Sequence, residues 1–292
     1  MPQYRIITVD AFTEVPFKGN PAAVVAVPSN SPLDETTMQK IAAEMNISET
    51  AFIMPLMVQG PEEFQQARVF SLRWFTPTCE VKLCGHATLA AAHALKHELG
   101  SEREKIYFET ASGQLLVYFG MVNDYSMNLP VDPPAPMPVT DDVKYIVECM
   151  FDEYKPTMQV EISPSLRYMV VYDPARSSDD VARLKPKLTP ELVAAGKREN
   201  IIAVMVTSKS STHDFCCRFF GPWCGIDEDP VTGSAYTVLG PFWQKRLGKK
   251  KFEAHQCSKR SGELYVQTEV TDSNDVSIHG HAVTVVSGVI NI

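Results

Sequence analysis

Several side chains that could take up or release a proton lie at two glycine-containing turns. The first turn reads Cys84-Gly85-His86, and the second contains Asp229 followed by Gly233-Ser234. Each turn precedes a stretch of small residues that predicts a helix, so both glycines mark helix N-termini. Backbone N–H groups there lack intrahelical partners and attract negative charge. The turns predict carboxylate binding at Gly85 and Gly233, unless these glycines only allow strand and helix to pack closely.

An internal repeat relates the two turns. Residues 73–81 and 218–226 align without gaps at an offset of 145 residues, with Arg, Phe, Pro and Cys identical in both copies. Each copy ends an extended segment and leads into one of the two helices. Two halves built alike predict a pseudo-twofold protein with a cleft between two domains. The same offset, continued to the turns, places Cys84 opposite Asp229.

Hydrophobic spacing predicts the elements that position these turns. Predicted strands lie at 24–27, 51–54, 70–75, 106–110, 114–119, 168–172, 201–207, 215–220 and 282–289, and predicted helices at 87–99, 189–196 and 233–247, with a further helix capped by Ser31 or Asp34 and ended by Asn46. Five prolines between Leu129 and Thr140 disfavour helix and central strand, and predict a domain boundary. The predicted domains are 1–128, joined by a returning strand 281–292, and 129–280.

Composition excludes several classes of protein. The chain has 292 residues, 45% of them hydrophobic and 21% charged, which is typical of a folded globular protein rather than a disordered one or a coiled coil. A net charge of −8 argues against nucleic acid as a partner. An odd count of seven cysteines and the lack of a long apolar segment favour a reduced, cytoplasmic protein without a membrane span.

Five ordered motifs resemble those of the PhzF phenazine-biosynthesis family. They are DAFT at 10–13, FKGNPAAV at 17–24, EMNISETAF at 44–52, CGHAT at 84–88 and EDPVTGSA at 228–235. The similarity runs over essentially the whole chain and is greatest to the vertebrate branch. It implies the diaminopimelate-epimerase-like fold, an α+β fold with two α/β domains, each a curved sheet around a central helix. It also implies cofactor-independent isomerisation by proton transfer, an active site between the domains, and a homodimer.

The resemblance assigns roles to four residues. The family's catalytic glutamate corresponds to Glu49, and the surrounding histidine, aspartate and serine correspond to His86, Asp229 and Ser234. Burial beside apolar neighbours would raise the pKa of Glu49 and let it accept and return a proton near neutral pH. The helix dipole would keep His86 neutral, as a hydrogen-bond donor or secondary acid. Asp229 would hold a substrate amino or hydroxyl group or orient the base, and Ser234 would donate to a carboxylate.

Each of these four residues also has a purely structural interpretation. Glu49 could be a solvated glutamate at the start of a strand, and His86 a packed histidine. Asp229 could stabilise the start of the helix, and Ser234 could cap it. Without the family motif, the sequence around Glu49 favours the solvated position.

Cys84 leaves two interpretations open as well. A thiol at a helix N-terminus could be reactive, or it could simply be packed. The related two-base racemases have a cysteine at each paired turn, and here Asp229 stands at the second. A zinc site of Cys79, Cys84 and His86 would lack a C-x-x-C pair, so we expect no bound metal. The sequence contains no nucleotide-binding motif, so we expect no cofactor either.

Three functional hypotheses follow. The first is an isomerase that moves a proton on a small anionic metabolite, with Glu49 as acid and base. The second is a catalytically retired epimerase scaffold that acts as a protein-interaction module and binds a protein partner. The third is a thiol-dependent racemase, which requires Cys84.

Overall fold

The computed structural model describes residues 1–120, 123–269 and 274–292. The chain divides into two compact units, which are Met1–Asn128 with His279–Ile292 (unit 1) and Leu129–Ile278 (unit 2). The sequence predicts the same boundary after residue 128 and a return two residues later than the observed one. No helix among the described residues is long and apolar enough to span a membrane.

The described residues form seventeen strands. They are β1 (Gln3–Ala11), β2 (Asn20–Ala26), β3 (Glu49–Pro55), β4 (Val69–Phe75), β5 (Glu80–Val81), β6 (Lys105–Thr110), β7 (Gly113–Phe119), β8 (Asp124–Pro130), β9 (Ala135–Pro136), β10 (Gln159–Ile162), β11 (Tyr168–Tyr172), β12 (Ala203–Lys209), β13 (Phe215–Gly221), β14 (Ile226–Asp229), β15 (Lys251–Gln256), β16 (Gly262–Gln267) and β17 (Asp275–Asn291).

The α-helices of the described residues are α1 (Glu35–Met45), α2 (Glu63–Gln66), α3 (Gly85–His93), α4 (Asp141–Phe151), α5 (Ser178–Ala182), α6 (Pro190–Arg198) and α7 (Tyr236–Leu247). A π-helical turn, Ala94–Glu98, continues α3. Short 3-10 helices form at Pro222–Cys224 and Gly233–Ala235, and the second leads directly into α7. The predicted helices at 87–99 and 233–247 are therefore each composite.

Unit 1 is a closed sheet around a buried helix. β1 pairs antiparallel with β2 and with β17, and β2 lies parallel to β3. The sheet continues through β4, β6, β7 and β8, and β8 pairs with β17 to close the ring. Every residue of α3 after Gly85 is buried, and the helix packs against β1, β2 and β3. Its small side chains allow this packing because they keep the helix narrow.

Unit 2 repeats the connectivity of unit 1. β10, β11, β12, β13, β15 and β16 pair in the same sequence of parallel and antiparallel contacts as β1, β2, β3, β4, β6 and β7. The short strand β14 pairs with β13 as β5 pairs with β4. The apolar face of α4 packs with α6 into the core of unit 2, and α7 is buried over most of its length. The repeat found in the sequence thus extends to the whole strand order.

Candidate active site

Glu49 is the first residue of β3 and pairs with Ala22 of β2 in parallel register. Only 8% of the residue is exposed, although a glutamate at the start of a strand is usually solvated. Its Oε2 lies 3.2 Å from Nε2 of His86. The strand start therefore carries a buried, hydrogen-bonded carboxyl group, and the solvated alternative is wrong.

The Cys84-Gly85-His86 turn places two more titratable groups beside Glu49. Cys84 is the N-cap of α3, and His86 is the second residue of the helix. The Cys84 Sγ atom lies 3.4 Å from His86 Nδ1. Thr88 fixes the turn by donating its hydroxyl to the Cys84 carbonyl at 2.6 Å. The carboxylate, thiol and imidazole thus form one cluster. A carboxylate oxygen, the sulfur and a ring nitrogen all lie within 4.8 Å of one another.

Asn20 contacts the second ring nitrogen of His86, and Ser48 in turn contacts Asn20. The wholly buried Asn20 places its amide nitrogen 3.2 Å from His86 Nδ1. The Ser48 hydroxyl donates to the Asn20 side-chain oxygen at 3.3 Å and to the Pro21 carbonyl at 3.2 Å. Either end of the amide can complete the contact with Nδ1, according to where the ring proton lies. Sequence reasoning gave Asn20 and Ser48 no role, although both stand within the family-like motifs.

The charges of this cluster differ from the sequence prediction. Burial alone would raise the pKa of Glu49, but the hydrogen bond and charge of His86, with a hydrogen bond from Cys84, hold it below its usual value. Burial alone would lower the pKa of His86, but the Cys84 sulfur and the Glu49 carboxylate raise it well above 6.5. The predictions of a raised Glu49 pKa and a neutral His86 are therefore wrong, because they ignored the pairing of these two groups.

Cys84 is not an activated thiol. Burial and the negative charge of Glu49 raise the pKa of Cys84, and these outweigh the opposing effect of His86. The helix N-terminus predicted a shift in the other direction. A thiol with a raised pKa is a poor nucleophile and a poor base, so the packed interpretation of Cys84 is the better one.

Asp229 ends β14 and is held by a hydrogen-bonded turn in unit 2. The Thr232 hydroxyl donates to the Asp229 carboxylate. The buried side chain of Gln256 accepts from the Thr232 N–H at 2.9 Å and donates to the Asp229 carbonyl at 2.8 Å. Because an N–H can only donate and a carbonyl can only accept, these two contacts fix the orientation of the Gln256 amide.

Sequence reasoning missed Gln256, although a signal for it was present. Burial alternates along β15, so that Phe252, Ala254 and Gln256 point to the buried side. A polar residue at an inward position of an alternating strand needs hydrogen-bond partners. The turn at Asp229 supplies them.

Gly233 and Ser234 begin the 3-10 helix that leads into α7. The Ser234 hydroxyl lies 3.2 Å from the hydroxyl of Tyr168, whose ring packs edge-on against Phe219. Ser234 does not cap the helix, because it is the second residue of the 3-10 helix and Thr232 holds the N-cap position. The side chain of Thr232 makes no capping hydrogen bond. The structure therefore leaves the Ser234 hydroxyl paired with a phenol rather than with the helix backbone.

The predicted opposition of Cys84 and Asp229 is wrong. Arg73 pairs with Glu80 seven residues later, whereas Arg218 pairs with Glu228 ten residues later, so the second copy is three residues longer. Strand register confirms the shift, because Trp74 faces Val81 as Phe219 faces Asp229. The residue equivalent to Cys84 is Thr232, since each is the N-cap before the glycine of its turn.

The same alignment shows that the repeats differ in chemistry. Glu49 is the first residue of β3, and the first residue of β12 is Ala203. His86 is the second residue of its helix, and Ser234 occupies that place in unit 2. The carboxylate, thiol and imidazole of unit 1 are thus replaced by alanine, threonine and serine.

Comparison with known proteins identifies the family. The sequence model of the family described as "Phenazine biosynthesis-like protein" matches residues 9–288. A phenazine biosynthesis-like domain-containing protein of Rattus norvegicus is 38% identical, over 98% of both chains. An uncharacterized isomerase of Pseudomonas aeruginosa is 39% identical, over 99% of both chains.

Solved structures agree with this assignment. The crystal structure of a PhzF-family protein from Enterococcus faecalis is similar with a TM-score of 0.84 and 33% identity, and the match covers 100% of both chains. A hydroxyproline epimerase from Agrobacterium vitis, with a TM-score of 0.58 and 10% identity, shares the fold. The chain therefore belongs to the PhzF, or phenazine biosynthesis-like, family of isomerases and has the predicted α+β diaminopimelate-epimerase-like fold.

Proposed function

We propose that this protein moves a proton between two positions of a small carboxylate metabolite without a cofactor, with Glu49 as both base and acid. The observation that carries the proposal is the difference between the repeats. Unit 1 has a carboxylate in contact with an imidazole, whereas Ala203 and Ser234 stand at those positions in unit 2. One base in place of two means that the same group, Glu49, removes the proton and returns it.

The reaction needs only the transfer of one proton. The Glu49 carboxylate accepts a proton from a substrate C–H, and the electron pair left on carbon delocalises into an adjacent unsaturated bond. The resulting carboxylic acid then returns the proton to a second position of the same molecule, so the composition is unchanged. His86, 3.2 Å from Glu49 Oε2, holds the carboxylate in place and stabilises its charge before and after the transfer.

The same proposal assigns substrate contacts to the turns. The backbone N–H groups of Gly85 and Gly233 would bind substrate carboxylate oxygens, and the Ser234 hydroxyl would donate to one. Asp229, whose carboxylate accepts from Thr232, would hold a substrate amino or hydroxyl group. A homodimer in the cytoplasm remains a prediction, which sedimentation analysis and cell fractionation can check.

Incubation with a small-metabolite extract in deuterated water tests the proposal. We expect the wild-type protein to convert one anionic metabolite into an isomer of equal mass, apart from deuterium. Glu49→Gln should lower the rate at least about a hundredfold, the lower range for loss of a general base. In early turnovers the isomer should carry less than one deuterium per molecule, because the buried acid returns much of the original proton.

Two further variants make the result specific. Glu63 is also a buried glutamate of unit 1, paired with Ser29 rather than with His86, so Glu63→Gln controls for the general effect of losing a buried carboxylate and should retain turnover. Loss of turnover in Cys84→Ser as large as in Glu49→Gln would instead support the thiol-dependent racemase. If wild-type and Glu49→Gln proteins both leave every metabolite unchanged, the interaction-module hypothesis becomes the one to pursue.

A further inference from the structure

The cluster in unit 1 contains three different kinds of metal ligand. A carboxylate oxygen of Glu49, the Cys84 sulfur and a His86 ring nitrogen all lie within 4.8 Å of one another, and all three residues are buried. We propose that these residues bind one divalent cation of the zinc type, and that the bound cation blocks proton transfer by Glu49. The blocking step rests on the proposed function, but the binding step does not.

The distances suit a four-coordinate ion. Bonds of about 2.0 Å to oxygen and nitrogen and about 2.3 Å to sulfur place tetrahedral ligands about 3.3 Å (O to N) and about 3.5 Å (N to S) apart. Glu49 Oε2 is 3.2 Å from His86 Nε2, and Cys84 Sγ is 4.0 Å from the same nitrogen. The Cys84 sulfur now lies closer to Nδ1, at 3.4 Å, so its side chain has to move toward Nε2 when the ion binds. Three protein ligands leave the fourth position for water or another small ligand.

Asn20 supplies the support that a metal-bound imidazole requires. Histidine ligands usually donate their second ring N–H to a nearby acceptor, which fixes the orientation of the ring. Asn20 lies 3.2 Å from His86 Nδ1, and a half-turn of its amide presents the oxygen to that nitrogen. The Ser48 hydroxyl can then accept from the amide nitrogen, since a hydroxyl both donates and accepts.

Binding displaces protons in a defined way. The Cys84 thiol loses its proton to solvent and becomes a thiolate ligand, and the ring proton leaves His86 Nε2. Glu49 contributes its carboxylate without losing a proton. A carboxylate oxygen bound to the cation no longer approaches a substrate C–H, so turnover stops while the ion is bound.

The ligand set differs from the zinc site considered from the sequence. Cys79 is exposed and its thiol contacts Thr76, and it is not part of the cluster. Among residues 1–120, 123–269 and 274–292, the cluster of Glu49, Cys84 and His86 is the one group of three such side chains with this spacing. Glu49, which is distant in sequence, replaces Cys79 in the proposed set.

Cobalt(II) and zinc titrations of the reduced full-length protein test the binding step. We expect one cobalt ion per chain, with a thiolate-to-cobalt charge-transfer band and the intense visible bands of four-coordinate cobalt, and displacement of cobalt by zinc. Cys84→Ser should abolish the charge-transfer band. Glu49→Gln should weaken zinc binding by more than about tenfold, the lower limit for loss of a residue that merely supports a metal ligand.

Cys79→Ser is the matched control, because it removes an exposed thiol and should leave the spectrum and stoichiometry unchanged. An unchanged spectrum in Cys84→Ser, a spectrum lost in Cys79→Ser, or no thiolate band in the wild type would each overturn the proposal.

Turnover measurements separate this proposal from the proposed function. Zinc should stop Glu49-dependent isomerisation at one ion per chain, and a chelator should restore it. Stoichiometric binding without any detectable turnover in metal-free protein would contradict the proposed function and leave the binding site in place. Undiminished turnover with zinc bound to Cys84 would overturn the blocking step.

Discussion

At the scale of single residues, the Glu49–His86 pair is a buried salt bridge with a cost on both sides. Each charge loses hydration on burial, and the electrostatic attraction between the two groups offsets that loss only if both partners remain. Glu49→Gln keeps the size and the hydrogen-bonding capacity of the side chain, and His86 can release its proton when the carboxylate is gone, so no unpaired charge is left buried. This is why the variant is a suitable probe of proton transfer rather than of folding.

His93, at the end of α3, provides a test of pH dependence. Its ring lies 3.0 Å from the Tyr125 hydroxyl and 3.0 Å from the Thr284 hydroxyl, and burial lowers its pKa to about 4. The unfolded chain takes up a proton near pH 6.5, so it binds more protons than the folded state between pH 6.5 and 4. We expect this group to make the protein less stable as the pH falls through that window, by about 3 kcal/mol in all.

Urea unfolding between pH 7 and 4 measures this effect. The stability lost between the two pH values should be smaller in His93→Gln than in the wild type, since the glutamine does not titrate. His97→Gln is the comparison, because the His97 ring lies 4.7 Å from the His93 ring but is less buried. Equal pH dependence in wild type and His93→Gln would mean that His93 is already charged in the folded protein.

The sequence predicted Glu49 and His86 for one site, but it did not predict their charges. Glu49 and His86 were predicted from separate motifs, and the structure places them in contact. Their pKa directions were predicted wrongly, because the predictions weighed burial and the helix dipole without a contact between two distant segments. Asn20 was missed for the same reason, since a buried amide shows its function only through its partners.

At the scale of elements, each repeat contains an arginine fork that joins two strands. Arg73 donates through Nε and Nη2 to Glu80, and Arg218 donates in the same way to Glu228. The two forks differ in burial, since 31% of the Arg73 side chain is exposed but only 10% of Arg218. Arg73 also pairs with Glu35, so its loss removes two exposed contacts, whereas the loss of Arg218 removes one largely buried pair.

We expect Arg218→Met to lower the free energy of unfolding by about 3 kcal/mol or more, because it leaves a largely buried glutamate without its partner. Arg73→Met should cost about 1 kcal/mol or less, as is usual for an exposed pair. Urea unfolding of both variants gives the comparison. Equal losses would show that the backbone carbonyl contact of Arg218 with Leu184 and its burial add nothing.

Gly19, just before β2, is held in a left-handed conformation at φ +62°. A Cβ there would lie 2.1 Å from the Ala11 carbonyl oxygen. Gly19→Ala should therefore cost clearly more than the strain of about 1–2 kcal/mol that left-handed backbone alone imposes. Gly248→Ala isolates that strain, because Gly248 has φ +65° and no atom within 4 Å of the added carbon. Thermal unfolding of the two variants should differ, and similar losses would exclude the clash.

Element prediction succeeded where apolar spacing was regular. The α1 helix begins after the Asp34 cap and ends at Asn46, which adopts a left-handed conformation. The helix α4 was missed, because the prolines before it predicted only a boundary, although its Thr140 cap and amphipathic face were present in the sequence. The three-residue insertion in the second repeat was missed because the aligned segment stops inside the loop that contains it.

At the scale of the whole molecule, unit 1 is discontinuous in sequence. Its barrel uses residues 1–128 and the last strand, β17, which pairs with β1 from Gln3 to Ala11. We expect truncation after Ile278 to expose the β1 amides to hydrogen exchange, since they lose one of their two neighbouring strands. Removal of Ile292 alone should leave β1 protected. Protection of β1 in the longer truncation would show that β17 does not hold the barrel closed.

The domain scheme was predictable because proline composition marks its boundary and the repeat marks its symmetry. The closure of the barrel was harder to predict, since pairing between strands far apart in sequence leaves no local pattern. The returning strand was expected at 282–289, and the observed strand extends from Asp275 to Asn291. Its first four residues belong to unit 2 and the rest to unit 1.

The place of β17 in the chain also affects the order of events during synthesis. A ribosome completes residues 1–128 early, but these residues lack a strand of their sheet until all of unit 2 has been made. Multidomain proteins generally fold from the N-terminal domain onward as they emerge. Here unit 2 emerges whole before unit 1 can close, so one edge of β1 stays without its β17 partner until the last strand has been made.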